Sequence, residues 1–211
     1  MKKILFISIV LFSSVLTFAQ TNFGAQIGCN ASHLKLSSSY ESLQSEKYAG
    51  IVGFVMGVVM DSKLDNNWSF RPELNYTQKG YKRKNANNNL YASTSLYYVE
   101  IPLNITYNVG TSLGTLFMGA GPSVGYGVYG VIKNSGSTNY ATFDGADKAN
   151  HFKRFDCGVG LLAGFKFKSG SFFSVGLSNG LSDINPNISD NTTYKNNCIS
   201  VKLGYMFSKK K

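Results

Sequence analysis

Apolar and polar residues alternate with period two along several stretches of this chain. The cleanest runs from Trp68 to Lys79, where Trp68, Phe70, Pro72, Leu74 and Tyr76 interleave with Ser69, Arg71, Glu73, Asn75, Thr77 and Lys79. A period of two sends successive side chains to opposite faces of a strand, so one face is greasy and the other polar or charged. The segment Tyr97 to Val109 repeats the pattern, with Tyr97, Val99, Ile101, Leu103, Ile105 and Tyr107 set against Tyr98, Glu100, Pro102, Asn104 and Thr106. So do Arg154 to Lys168 and Cys198 to Phe207. Four weaker segments keep the phase: Phe23 to Ser32, Gly50 to Met60, Leu116 to Tyr129 and Phe172 to Leu181. Their second face is largely glycine and small polar residues, as at Gly24, Gln26, Gly28 and Asn30, or at Gly119, Gly121, Ser123 and Gly125. Eight strands are predicted, an even number as in single-chain bacterial outer-membrane barrels.

The gaps between segments alternate in length. Asp61 to Asn67, Gly110 to Thr115 and Ser169 to Ser171 are short, whereas Leu34 to Ala49, Gly80 to Leu96, Gly130 to Lys153 and Ser182 to Asn197 are long and polar. Short turns on one side and long loops on the other are the arrangement of an up-and-down transmembrane barrel, with turns and both termini in the periplasm. A soluble ligand-binding barrel also alternates but turns its apolar face inward. Face composition separates the two readings. A glycine-rich face suits the narrow interior of an eight-stranded barrel, and aromatics gather near segment ends at Phe23, Trp68, Tyr76, Tyr97, Tyr107, Phe167, Tyr205 and Phe207, where an interfacial girdle belongs. The fold class expected is all-β, a closed antiparallel transmembrane barrel of eight strands.

The N-terminus bears on the compartment. Lys2 and Lys3 precede an apolar run from Ile4 to Leu16, closed by Thr17-Phe18-Ala19 before Gln20, which is the layout of a secretory signal peptide cleaved after Ala19. The run is shorter than the roughly 20 residues a membrane helix needs, and no cysteine follows the cut to carry a lipid. The expected division is a signal peptide over 1–19 and one barrel domain over 20–211. The formal net charge is +10, and losing Lys2 and Lys3 with the leader leaves about +8. The lysines lie at strand ends, in loops and in Lys209-Lys210-Lys211, so anionic lipid headgroups rather than nucleic acid are the expected counter-charge. Cys29, Cys157 and Cys198 cannot all pair internally, and none has metal-site spacing. Cys29 and Cys198 fall on neighbouring strands of a closed barrel, but their phases put them on opposite faces, which argues against a disulfide.

Several strand motifs carry a family resemblance. Arg71-Pro72-Glu73-Leu74-Asn75-Tyr76-Thr77-Gln78-Lys79-Gly80, Tyr97-Tyr98-Val99-Glu100-Ile101-Pro102-Leu103, Gly119-Ala120-Gly121-Pro122, Phe155-Asp156-Cys157-Gly158-Val159-Gly160 and Leu203-Gly204-Tyr205-Met206-Phe207 resemble the PorT-like outer-membrane β-barrel family of Bacteroidota. The resemblance spans Phe23 to Phe207 and implies an eight-stranded OmpA/OmpX-type barrel. The family's namesake is associated with protein secretion, a role that strand motifs of the scaffold do not carry over. Gly204-Tyr205-Met206-Phe207 also resembles the C-terminal strand signal read by the barrel-assembly machinery.

The chemistry-bearing candidates form one constellation of lumen-facing charges: Arg71, Glu73, Lys79, Glu100, Arg154, Asp156, Lys166 and Lys202. Charges sealed in a narrow barrel must pair or they cost several kcal/mol each. The structural reading is an interior salt-bridge network that stiffens the barrel, and the functional alternative is a gated path for small ions. His33 and His151 fall at loop margins with no third group to orient either, so even beside Ser32 they make no catalytic triad, and no enzyme, cofactor or metal is expected. Gly-x-Gly patterns such as Gly119-Ala120-Gly121 read as lumen packing, and Asn191-Thr192-Thr193 implies no modification in a bacterium. The loops, with Tyr40, Tyr91 and Tyr140, are the candidate surface for an extracellular partner. The function expected is an integral outer-membrane barrel with a structural or interaction role; the alternatives are a narrow ion or small-solute channel and an accessory component of a secretion system.

Overall fold

The computed structural model describes residues 21–38, 47–84, 90–134, 137–143, 151–185 and 192–207. The expected leader and the Lys209-Lys210-Lys211 tail lie outside these residues, as does Tyr40. The strands are β1 (Thr21–Ser38), β2 (Lys47–Lys63), β3 (Trp68–Lys84), β4 (Leu90–Gly110), β5 (Gly114–Asn134), β6 (Ser137–Phe143), β7 (His151–Phe152), β8 (Phe155–Phe167), β9 (Ser171–Gly180) and β10 (Thr192–Phe207).

Strands β1 to β5 pair in succession, β5 pairs β8, β8 to β10 pair in succession, and β10 pairs β1. Every pairing in this circuit is antiparallel. The eight expected segments therefore form a ring in which each strand has two neighbours, which removes the free edges an open sheet would present. β6 stands outside the ring: it folds back on the far end of β5 and makes a short parallel bridge to β7.

The strands outrun their expected lengths at one end. β1 continues to Ser38, β3 to Lys84 and β5 to Asn134, while β4 starts at Leu90 and β10 at Thr192. Much of the four segments expected as long loops is thus strand, a correction with a simple cause. In these extensions residues such as Lys82, Ser93, Ser95 and Lys133 alternate without strong hydrophobic contrast, so period-two reading is silent, yet the ladder hydrogen bonds continue from the neighbours. The three short connections, 64–67, 111–113 and 168–170, lie together at the opposite end, here called the turn end. Gly170 takes φ +96° in the last of them, a conformation open to glycine but strained for other residues.

The faces divide as the composition argued. Outward positions carry Ile27, Met56, Leu74, Ile101, Leu103, Ile105, Leu161, Val201 and Leu203, all exposed, while Gln26, Asn30, Arg71, Glu73, Asn75, Thr77, Lys79, Glu100, Asn104, Asp156 and Lys202 are buried inside the ring. The interior departs from a uniformly polar filling, however. An apolar cluster of Val59, Phe117, Leu162, Phe172 and Met206 fills the turn end. A second cluster, including Leu34, Tyr81, Leu96, Tyr98, Ile132, Phe143, Phe152 and Ile184, fills the other end, and the Glu73–Lys202 and Lys79–Glu100 pairs lie between the two. The glycines explain how large rings fit in so narrow a ring of strands. A Cβ at Gly164 would stand 2.4 Å from the Phe117 ring, and one at Gly204 would stand 2.3 Å from the Phe172 ring. The small face is thus a set of seats for inward aromatics as much as a concession to crowding.

Candidate functional site

The interior charges separate into three groups along the axis. Nearest the turn end, Asp61 accepts from Lys166 at 2.9 Å and lies 3.7 Å from Arg71. The Arg71 guanidinium also sits 4.5 Å from the Phe117 ring centre and 4.8 Å from that of Phe172, so its desolvated charge is met by a carboxylate and two π faces. In the middle, Glu73 pairs with Lys202 across the lumen and accepts from Gln26 at 2.7 Å and Asn75 at 2.8 Å. Towards the loop end, Lys79 donates to Glu100 at 3.1 Å and lies 3.8 Å from Asp156. Asp156 in turn accepts from Asn196 at 2.9 Å.

Four carboxylates, Asp61, Glu73, Glu100 and Asp156, thus meet four cations, Arg71, Lys79, Lys166 and Lys202. Paired buried charges of this kind avoid the penalty that an isolated one incurs. Arg154 is the exception among the expected members. It lies just before β8 at the loop end, where it donates to the Tyr126 hydroxyl at 3.2 Å and the Phe143 carbonyl at 3.0 Å. A hydrogen bond from the Gly127 amide to its carbonyl holds its backbone there, two residues before Asp156.

Asp61 is the member that alternation missed. The expected turn of Asp61 to Asn67 begins three residues too early, because β2 runs on to Lys63 and carries Asp61 inward, in phase with buried Val55 and Val59. Gln26, Asn75 and Asn196 were also missed as parts of the network. They are neutral, and their amide N–H groups donate to the carboxylates of Glu73 and Asp156.

Between the apolar clusters lies a cavity of about 70 Å³ lined by residues including Asn30, Glu73, Lys79, Glu100, Cys198 and Lys202. At the roughly 30 Å³ that a water takes up in the liquid, it has room for about two. At the turn end, a second space of about 180 Å³ is lined by Asn22, Asp61, Ser69, Asn108 and Lys166 among others. The Phe117, Phe172 and Met206 side chains belong to the apolar cluster at this end.

The exterior carries two bands of aromatic residues. Nearer the turn end, Trp68 packs edge-on against Tyr107, Phe165 and Phe167 pack with Phe173, and Tyr205 packs with Phe207. Nearer the loop end, Phe54, Tyr76, Tyr97, Tyr129 and Tyr140 form a chain of ring contacts across five strands. Tyr97 and Tyr107 on β4 are ten residues apart; at about 3.3 Å per residue and a tilt near 40° this spans roughly 25 Å along the axis, the height of the apolar band of a membrane barrel. Among the described residues no helix is long and apolar enough to cross a membrane.

The remaining candidates fall as follows. His33 is exposed on β1, while the neighbouring Ser32 points inward and exchanges hydrogen bonds with the backbone of Gly80; the two side chains do not converge. His151 is half-buried in β7. Cys29 and Cys157 are exposed, Cys198 is buried, and all three are free. Tyr140 is 68 % exposed. In the loop before β10, Asp183 accepts from the Tyr194 and Asn185 amides and from Lys153. Desolvation opposes its ionised form, but these hydrogen bonds outweigh it and hold the carboxyl below the usual carboxylate range.

A family model described as outer membrane protein beta-barrel domain matches residues 18–185. Solved structures similar to the chain include the attachment invasion locus protein Ail of Yersinia pestis, 13 % identical with a TM-score of 0.45, covering 89 % of this chain and 99 % of that one. Neisserial surface protein A matches at 18 % identity and TM-score 0.47, over 89 % and 99 % of the two chains. The outer membrane protein OprG of Pseudomonas aeruginosa matches at 15 % and 0.48, over 89 % and 96 %. No curated protein matches the chain.

Proposed function

This chain belongs to the outer membrane protein beta-barrel domain family, and from that premise we propose that it is an integral outer-membrane protein with a plugged lumen, serving a structural or interaction role through its loop end. The observation that carries this reading is the layered interior: two apolar clusters bracket a middle in which carboxylates and cations are matched. Such a lumen stiffens the barrel, and the strands that extend beyond the outer aromatic band form a rigid platform for contacts. On this reading the leader over 1–19 is removed after Ala19, the turns face the periplasm, and the barrel-assembly machinery inserts the chain. Its partners are outer-membrane lipid and an extracellular molecule met by the loop end. The motifs around Arg71–Gly80 and Tyr97–Leu103 support the finer assignment to the PorT-like group of Bacteroidota.

A second reading, a narrow gated channel, is favoured by the hydrated-size cavity beside Glu73 and Lys79 and by the wider space at Asp61 and Lys166. One experiment separates the two. Cells expressing the protein are fractionated, the outer-membrane fraction is run on gels with and without boiling, and the purified barrel is placed in a planar bilayer. A heat-modifiable outer-membrane band without discrete conductance supports the plugged barrel. Conductance from the unmodified chain favours the channel, and a protein that is soluble without detergent overturns both.

A further inference from the structure

Several lysines without an ion pair among the described residues stand beyond the outer aromatic band. Lys35 on β1 stands directly opposite Lys195 on β10, and both follow the outward phase of the exposed Ile199 on β10 and its partner Ala31. On the far side of the barrel, Lys82 of β3 and Lys133 of β5 flank Ser93 of β4 in one cross-strand row that also points outward. None of the four has an ion-pair partner among the described residues, whereas the lumen charges are matched and the Lys153–Asp183 pair at the same end is closed at 3.2 Å. Like charges opposite each other on paired strands have Cβ atoms only about 5 Å apart and destabilise the pair. An arrangement of this kind is relieved by an anion held between the two ammonium groups.

Position identifies the anion. Ser93 lies four residues beyond Tyr97, and Lys35 lies six beyond Cys29, the cross-strand partner of Phe54 in the band. Four to six residues advance about 13–20 Å along a strand and roughly 10–15 Å along the axis at a tilt near 40°. The aromatic band marks the edge of the hydrocarbon, so both lysine pairs reach the headgroup layer, where anionic groups attract cationic side chains. We propose that Lys35, Lys82, Lys133 and Lys195 form a collar that binds phosphate groups of the outer-leaflet glycolipid. The proposal rests on the outer-membrane reading above, with the loop end outward.

The test uses the full mature chain folded in detergent, with diphosphorylated lipid A as the probe and fully dephosphorylated lipid A and inorganic phosphate as comparison arms. Binding is read by titration and by the temperature at which the folded gel band is lost. The diphosphorylated lipid is expected to bind and raise that temperature. K35Q/K82Q/K133Q/K195Q is expected to bind at least about tenfold more weakly, and the fourfold arginine variant to retain binding. The double variants K35Q/K195Q and K82Q/K133Q, each expected to lose part of the affinity, serve if the fourfold glutamine variant does not fold. Undiminished binding by the glutamine variants, or equal binding of dephosphorylated lipid A, overturns the proposal. An equal effect of inorganic phosphate at the same concentration overturns the assignment to lipid. Heat-modifiability and membrane fractionation are read on the same samples, so a failed collar with an intact barrel is distinct from a failed barrel.

Discussion

The guanidinium of Arg71 lies between the rings of Phe117 and Phe172, 4.5 Å from one centre and 4.8 Å from the other, so a charge that the lumen must keep desolvated also forms part of the stopper at the turn end. Deep burial of an arginine is stable here because Asp61 and two π faces replace its water. The rings give the stopper its bulk. Replacing both by alanine should join the turn-end space to the central cavity, but the loop-end cluster around Leu96 and Tyr98 still closes the lumen, so the Phe117→Ala/Phe172→Ala barrel is expected to stay silent in a planar bilayer while losing about 3–5 kcal/mol per ring in urea unfolding. Discrete conductance from this double variant would show that the turn-end stopper alone closes the lumen.

The Glu73–Lys202 pair joins β3 to β10 across the ring, and its energetics follow from burial. Removing one partner leaves an uncompensated charge, so Lys202→Met should destabilise the barrel by about 3–5 kcal/mol. The double variant Glu73→Gln/Lys202→Met removes both charges and should recover most of that loss, since Gln26 and Asn75 still donate to the amide oxygen and the Gln26 Oε1 is open to accept from its N–H. Urea unfolding in lipid vesicles measures both. A double variant no more stable than the single one would show that the pair is not coupled.

Gly204 faces the Phe172 ring so closely that an added Cβ would stand 2.3 Å from it. Gly204→Ala should therefore cost about 1–3 kcal/mol through overpacking, and Phe172→Leu in the same chain should return part of it. Equal stability of Gly204→Ala and the unmodified barrel in the same urea titration would show that the ring moves aside freely.

The ring of eight strands was legible because lipid-facing strands impose the strongest contrast a sequence can carry: apolar Ile101, Leu103 and Ile105 against Glu100, Asn104 and Thr106. The matched charges were legible for the same reason, since a polar residue in phase with glycine can only point inward. Beyond the aromatic band the contrast fades, because the outward face at Lys82, Ser93 and Ser95 meets polar surroundings while buried Thr94, which faces the loop-end cluster, is itself polar. The extended strands and the position of Arg154 were therefore hidden. Asp61 was hidden by convention, as an acidic residue beside Ser62 and Lys63 resembles a turn. The apolar clusters inside the lumen depend on which glycine lies across from which ring, as Gly164 does from Phe117. That is a property of register between strands, not of any strand alone.

The loop end offers a pH test that stands apart from the membrane. Asp183 receives amides from Tyr194 at 2.8 Å and Asn185 at 3.0 Å, with Lys153 on its other oxygen at 3.2 Å, and its carboxyl is held below the ordinary value near 4 despite partial desolvation. A depressed carboxylate contributes its stabilisation above the unfolded-state pKa and loses it as pH falls through the folded-state value. The anchoring of the strand start at Tyr194 should accordingly be constant from neutrality down to about pH 5 and weaken below about pH 4. The contribution is small because the group is largely solvated and screened, so a local probe is needed. Amide hydrogen exchange at Tyr194, corrected for the intrinsic pH dependence, is expected to lose protection across that acid window in the unmodified chain. Asp183→Asn keeps an acceptor but cannot titrate, and should flatten the profile. The same acid loss in both chains would assign the effect to another group at this end and remove Asp183 from the account.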